Sequence, residues 1–183
     1  MQTIEGYHRP VLRTALVGVA VVLALTTGGS SHAAGSCRLA MSQGGGYSER
    51  TGQHTLELVL TNRGSSACVL DGYPRVEFLD AAGRRLPFVI KHHGDQMIKA
   101  QTPRRVRIAP GGGKAYVAVN KYRCDGYELR RPARVNLVPP GASPLPGLSL
   151  RIVGLGYGWC GRGDPGSIVS VSPVVATERA AVR

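Results

Sequence analysis

From residue 55 onward the chain alternates apolar and polar side chains with a period of two. Leu56, Leu58 and Leu60 share one face of Thr55–Asn62, and Val76 and Phe78 share one face of Arg75–Leu79. Arg105–Ile108 and Ala115–Asn120 repeat the pattern, the latter with Ala115, Val117 and Val119 inward, and 134–138, 148–153 and 167–171 continue it. Asp80–Gly83 supplies a turn after which 84–90 forms a returning strand, and Pro110–Gly113 forms a hairpin turn. No long stretch carries the 3.6-residue period of an amphipathic helix. Short strands separated by Gly/Pro turns predict an immunoglobulin-like antiparallel β-sandwich of about eight or nine strands. Three segments lack strand character: the polar loop Lys91–Pro103, the Pro-rich connection Pro139–Gly147, and the stretch 176–183, which reads as a flexible tail.

Composition supports this reading and adds an address. With 25 glycines and 12 prolines in 183 residues, a helical bundle is disfavoured, while 43% hydrophobic residues are too many for a disordered chain. His8, Arg9 and Arg13 precede the apolar run Ala15–Leu25, which dissolves into small and polar residues ending Ser31-His32-Ala33. An eleven-residue run at roughly 1.5 Å per residue reaches about half of a ~30 Å hydrocarbon core. The start therefore reads as a secretory signal, 1–33, cleaved near Ala33, rather than an anchor. A domain of 34–175 follows. Cleavage removes Arg9, Arg13 and Glu5, so the charge of +12 falls by only one and the basic excess belongs to the exported domain.

All four cysteines, Cys37, Cys68, Cys124 and Cys160, follow the leader, and an even count in an exported chain reads as two disulfides. Three pairings are open to four cysteines. The sequential one, Cys37–Cys68 with Cys124–Cys160, is the expectation, each loop contributing at most roughly 3.5–4 kcal/mol of chain entropy. Around them lies a distinctive pattern: an early Cys37, a strand ending Thr61-Asn62, the element Cys68-Val-Leu-Asp-Gly-Tyr-Pro74, Pro110-Gly111 before an apolar strand, and the late Cys124 and Cys160. This resembles an exported actinobacterial family, domain of unknown function 4232, over essentially the whole exported part. The resemblance implies a disulfide-linked β-sandwich and no assigned activity. The chain departs from that family in its His-His loop and its arginine load. Asp71, Gly72, Tyr73 and Pro74 read as a structural turn leading into extended or cis backbone.

Candidates for chemistry are few. No Gly-x-Ser-x-Gly elbow, C-x-x-C pair or phosphate-loop spacing occurs, and no cofactor motif is present, so the chain reads as non-enzymatic. His92, His93 and Met97 could ligate copper or zinc but need ligands from elsewhere, which makes a metal-handling protein the alternative function and a hydrolase a distant third. Tyr157 and Trp159, if both turn outward opposite Cys160, could stack on a sugar. Arginine is the stronger signal. Arg84, Arg85, Arg104, Arg105, Arg107, Arg130, Arg131 and Arg134 lie on or beside strands, and guanidinium forks suit phosphate and carboxylate. An anionic envelope polymer, a lipid headgroup or an acidic protein would fit such a surface. Nucleic acid is not expected, since aromatic and basic residues do not interleave.

Overall fold

The computed structural model describes residues 36–45, 52–141, 145–152 and 156–182. The expected leader, 1–33, and part of the Pro-rich connection lie outside these residues. The described chain is nearly all β. Its strands are β1 (Leu39–Gln43), β2 (Gln53–Asn62), β3 (Cys68–Leu70), β4 (Arg75–Leu79), β5 (Val89–Lys91), β6 (Val106–Ile108), β7 (Lys114–Tyr122), β8 (Arg134–Val138), β9 (Leu148–Arg151) and β10 (Ile168–Val171). A one-turn 3-10 helix at Pro165–Ser167 precedes β10, and a four-residue helix α1 (Glu178–Ala181) lies near the end.

The strands form a five-stranded sheet in the order β1-β2-β7-β10-β5, a three-stranded sheet β4-β8-β9 and a two-stranded sheet β3-β6. Leu56, Leu58 and Leu60 of β2 join Val117 and Val119 of β7, Val76 and Phe78 of β4, and Val135 and Leu137 of β8 in one core. Period two puts these positions on facing surfaces, and full burial of each Leu stabilises by about 1.5–3 kcal/mol. Both expected disulfides are present. Cys37–Cys68 joins the start of β1 to β3, and Cys124–Cys160 joins the segment after β7 to the one before β10.

The architecture departs from an all-antiparallel sandwich in several places. β10 pairs with β5 in parallel, because β5 enters the sheet at its edge after a long excursion rather than through a hairpin. Pro110–Gly113 is no hairpin turn either: β6 and β7, on its two sides, belong to different sheets. Gly111 and Gly112 take φ of 70° and 113°, and Asn62 closes the crossing through backbone bonds with Gly112 and Gly113. The Asn62 side chain donates to Ser66 O and Ile108 O and accepts from Gly64 N, which gives the Thr-Asn element a physical role. The returning strand expected at 84–90 shrinks to a bridge at Arg85 and the short β5. The Tyr73–Pro74 bond is trans.

Two segments expected to lie in solvent are packed. The outer face of β2 and β7 carries Gln53, Thr55, Glu57, Ala118 and Asn120, and all are buried. The loop after β5 and the C-terminal segment cover it. Ile98, Val175 and Ala181 form a second small core with Ala118, Lys99 N donates to Ala181 O at 3.1 Å, and Ile98 bridges Val182. The stretch read as a flexible tail is therefore corrected to a docked segment, since only apolar cover lets this sheet face leave water. Polar atoms beneath must then find partners. Asp95 accepts from Met97 N and Ile98 N with one carboxyl oxygen and from Asn120 Nδ2 with the other, while Asn120 also bonds Gln53 and Thr55. Glu57 keeps one carboxyl oxygen unpartnered, and burial, then the nearby Glu178, push its carboxyl above the usual carboxylate range. Ile98→Ala is expected to lower stability by about 2–4 kcal/mol in urea titration, as for a core deletion. A solvated loop would change the midpoint by a few tenths only.

Candidate functional site: an arginine row and its adjoining groove

The outward face of the three-stranded sheet follows from its register. Leu79 stands opposite Arg134, and Arg134 opposite Arg151, while Leu79 also bridges Arg85. Directly opposite residues share a face, so Arg85, Leu79, Arg134 and Arg151 form one row across the sheet. Two residues along, Glu77, Asn136 and Ser149 form the next row, and Arg75 with Val138 the third. Four arginines thus face one carboxylate. Glu77 takes Arg85 at 3.6 Å. Arg134 and Arg151 have no ion pair among the described residues.

Like charges directly opposite on neighbouring strands are destabilising. Here Arg134 and Arg151 nevertheless stand directly opposite one another, and both are exposed. Arg151 also lines a groove of about 1070 Å³ with Arg123, Arg131, Glu128 and the exposed Tyr127. Glu128 accepts from Arg131 Nε and from Gly158 N at 2.8 Å each, so Arg131 is held at the groove wall by a fixed carboxylate. The row and the groove meet at Arg151.

The eight arginines named from sequence do not form one patch. Arg104, Arg105 and Arg107 lie on or before β6, in a different sheet, and Arg105 lines a separate pocket of about 420 Å³ with Asp71 and Cys37. Arg84 is engaged in the turn: its Nε donates to Asp80 at 2.9 Å, and bonds from Arg84, first through its backbone, hold the Asp80 carboxyl below its usual range. Arg130 lies 4.8 Å over the Trp159 ring. Arg85, Arg131 and Arg134 remain near the row and groove, joined by Arg151 and Arg75, which the sequence reading had on strands but could not align without the register.

The paired aromatic platform does not exist. Tyr157 is only 2% exposed, stacks on Phe78, and places its hydroxyl 2.6 Å from Val119 O and 2.7 Å from His54 O. The glycine-rich run breaks strand geometry: Gly156 has φ of 60°, and a Cβ on Gly158 would run into the Glu128 side chain. The metal candidates also disperse. His92 and His93 flank the Tyr73 ring, whose hydroxyl donates to Gln101 O, and His92 Nδ1 lies 3.3 Å from Val171 O. Met97 and Asp95 belong to the covering loop, and the described residues include no group of three His, Cys, Asp or Glu poised for a metal. The turn Asp71–Pro74 therefore positions Tyr73 as a clamp on that loop.

The model of the family described as Domain of unknown function (DUF4232) matches residues 33–174. The chain belongs to that family. No curated protein and no solved structure matches the chain. The DUF4232 match ends before the C-terminal segment that covers the outer sheet face. Its two disulfides mark the DUF4232 domain as one that folds in an oxidising, extracytoplasmic environment. No helix among the described residues is long and apolar enough to cross a membrane.

Sequence reading missed Lys121, although the alternation of Ala115, Val117 and Val119 extends to it. Lys121 is 1% exposed, with Nζ 3.4 Å from Gly156 O and 3.8 Å from Cys160 Sγ. Burial pushes its ammonium down to about 8, against weaker upward pulls from Glu128 and Asp164. The unfolded chain holds this proton until near 10.5, so between these values the unfolded state binds more protons and stability rises with pH. Lys121's share of that rise is at most about 3 kcal/mol. Urea titrations at pH 7.5 and pH 10 are expected to show the rise in the parent protein relative to Lys121→Met, which lacks the group. Parallel pH profiles for the two would show that Lys121 is not desolvated.

Proposed function

We propose that this domain is an exported, non-enzymatic module of the cell envelope that holds an anionic envelope polymer on the outward face of β4-β8-β9. The observation that carries the reading is the Arg134–Arg151 pair, two arginines directly opposite one another with no carboxylate among the described residues to separate them. Guanidinium groups bind phosphate and carboxylate through parallel donors, and a row of them matches a polymer with repeating charges better than a single small anion. Arg85 extends the row, Arg75 stands four residues along β4 on the same face, and Arg123 lines the adjoining groove, where Arg131 is paired with Glu128. The other dense arginine group, on β6, serves a different sheet and is not needed for this contact.

Binding to an isolated envelope fraction is expected to weaken steeply over a fivefold rise in salt, because exposed charges are screened within about 8 Å at physiological ionic strength. Arg134→Glu with Arg151→Glu is expected to reduce binding about tenfold or more, while Arg105→Glu with Arg107→Glu reduces it far less. Salt-independent binding, or equal loss from both pairs, would contradict the assignment of this face.

A further inference from the structure

Each disulfide has one half-buried cysteine that lines a pocket and one buried cysteine, but only the second has a lysine at its buried sulfur. Cys124 is half-buried and lines the groove, whereas Cys160 lies behind it at 8% exposure, with Lys121 Nζ 3.8 Å from its sulfur. Cys160 N donates to Ser167 Oγ, and a Cβ on Gly166 would collide with Cys160 Sγ, so Gly166 packs directly against this sulfur. At Cys37–Cys68, no charged side chain among the described residues makes a hydrogen bond to either sulfur. Arg105 shares the smaller pocket with Cys37 but makes no such contact.

We propose that Cys124–Cys160 is a thiol–disulfide exchange site, attacked at Cys124 through the groove, with Cys160 leaving as a thiolate that the Lys121 ammonium stabilises. The co-reactant is an extracytoplasmic dithiol. Its thiolate bonds to Cys124 Sγ, the Cys124–Cys160 bond breaks, and its electron pair stays on Cys160. The second thiol of the dithiol then attacks the mixed disulfide and releases Cys124. The domain gains two electrons and two protons as two thiols, and the dithiol becomes a disulfide. Exchange is faster when the departing sulfur is a better-stabilised thiolate, and a neighbouring cation provides that. Arg123, Arg131 and Arg151 outnumber Asp125 and Glu128 in the groove lining, which favours approach of an anionic thiolate. The charges of Glu128 and Asp164 help keep Lys121 protonated. Lys121 is a positioning residue in this step, since it acts through the departing sulfur.

The test treats the oxidised full chain with dithiothreitol at pH 7, quenches with acid, and maps each disulfide by differential alkylation and mass spectrometry. Cys124–Cys160 is expected to open about tenfold faster than Cys37–Cys68. With glutathione as the thiol, the first trapped adduct is expected on Cys124. Lys121→Met is expected to slow opening of Cys124–Cys160 about tenfold and leave Cys37–Cys68 unchanged, and Lys121→Arg to restore much of the rate. Equal opening of the two disulfides, a first adduct on Cys160, or an unchanged ratio in Lys121→Met would overturn the proposal. The two measurements on the parent protein decide it even if the variant does not fold.

Discussion

Strands β2 and β7 pair over nine residues, and apart from the exposed Lys114 and Tyr122 at the two ends both faces of that pair are largely withdrawn from water, so each face must be covered by another part of the chain. On one side the cover is ordinary: β4 and β8 bring Val76, Phe78, Val135 and Leu137 against the leucines of β2. On the other side the cover comes from the loop after β5 and the C-terminal segment, which bring Ile98, Val175 and Ala181 over a layer that is largely polar. A polar layer can be buried only if its donors and acceptors are paired. Asp95 and Asn120 do this, and they also fix the loop over the strands. Gln53 Nε2 and Glu57 Oε2 are the exceptions, each buried without a partner, and the Glu57 carboxyl is shifted toward its neutral form by burial first and then by Glu178.

With both sides of β2 and β7 occupied, the surfaces considered for recognition lie elsewhere. The three-stranded sheet faces the core with its apolar rows and solvent with its arginines. The groove opens where the core turns polar at the end of β7, around His54, Lys121 and Tyr157. The same boundary produces both candidate chemistries: exposed arginines for an anion, and a buried lysine against a disulfide sulfur. These are separable, because Arg134 and Arg151 lie on the sheet surface while Lys121 is enclosed behind the groove.

Much of the β structure is legible in the sequence because alternation reports directly on strand faces. Leu56, Leu58 and Leu60, or Val117 and Val119, need no long-range information to be placed inward. The family resemblance was also accessible, through the Cys68–Pro74 element and the late cysteines, whereas the cysteine count left three disulfide pairings open and the sequential one was only an expectation until the structure placed Cys37 on Cys68 and Cys124 on Cys160. What escaped depends on pairing. The parallel β10–β5 contact, the crossing of Pro110–Gly113 between sheets, and the alignment of Arg134 with Arg151 follow from register, which no local pattern carries. The tail and the His-His loop were misread because local polarity predicts solvent exposure, whereas here a few apolar residues, Ile98 and Ala181 among them, anchor mostly polar segments. Lys121 was visible in principle: it continues the inward alternation, but a lysine at the end of a strand ordinarily extends its charge to water.

The two-sided cover of β2 and β7 is tested most directly by amide hydrogen exchange at Ile98 and Lys99, whose N–H groups donate to Asp95 Oδ1 and Ala181 O. If the loop and the C-terminal segment are docked, both amides exchange at least about a hundredfold more slowly than in an unstructured peptide, as local opening must precede exchange. Exchange of both at the unstructured rate would contradict the account, because the polar layer of Gln53, Thr55, Glu57 and Asn120 would then be open to water.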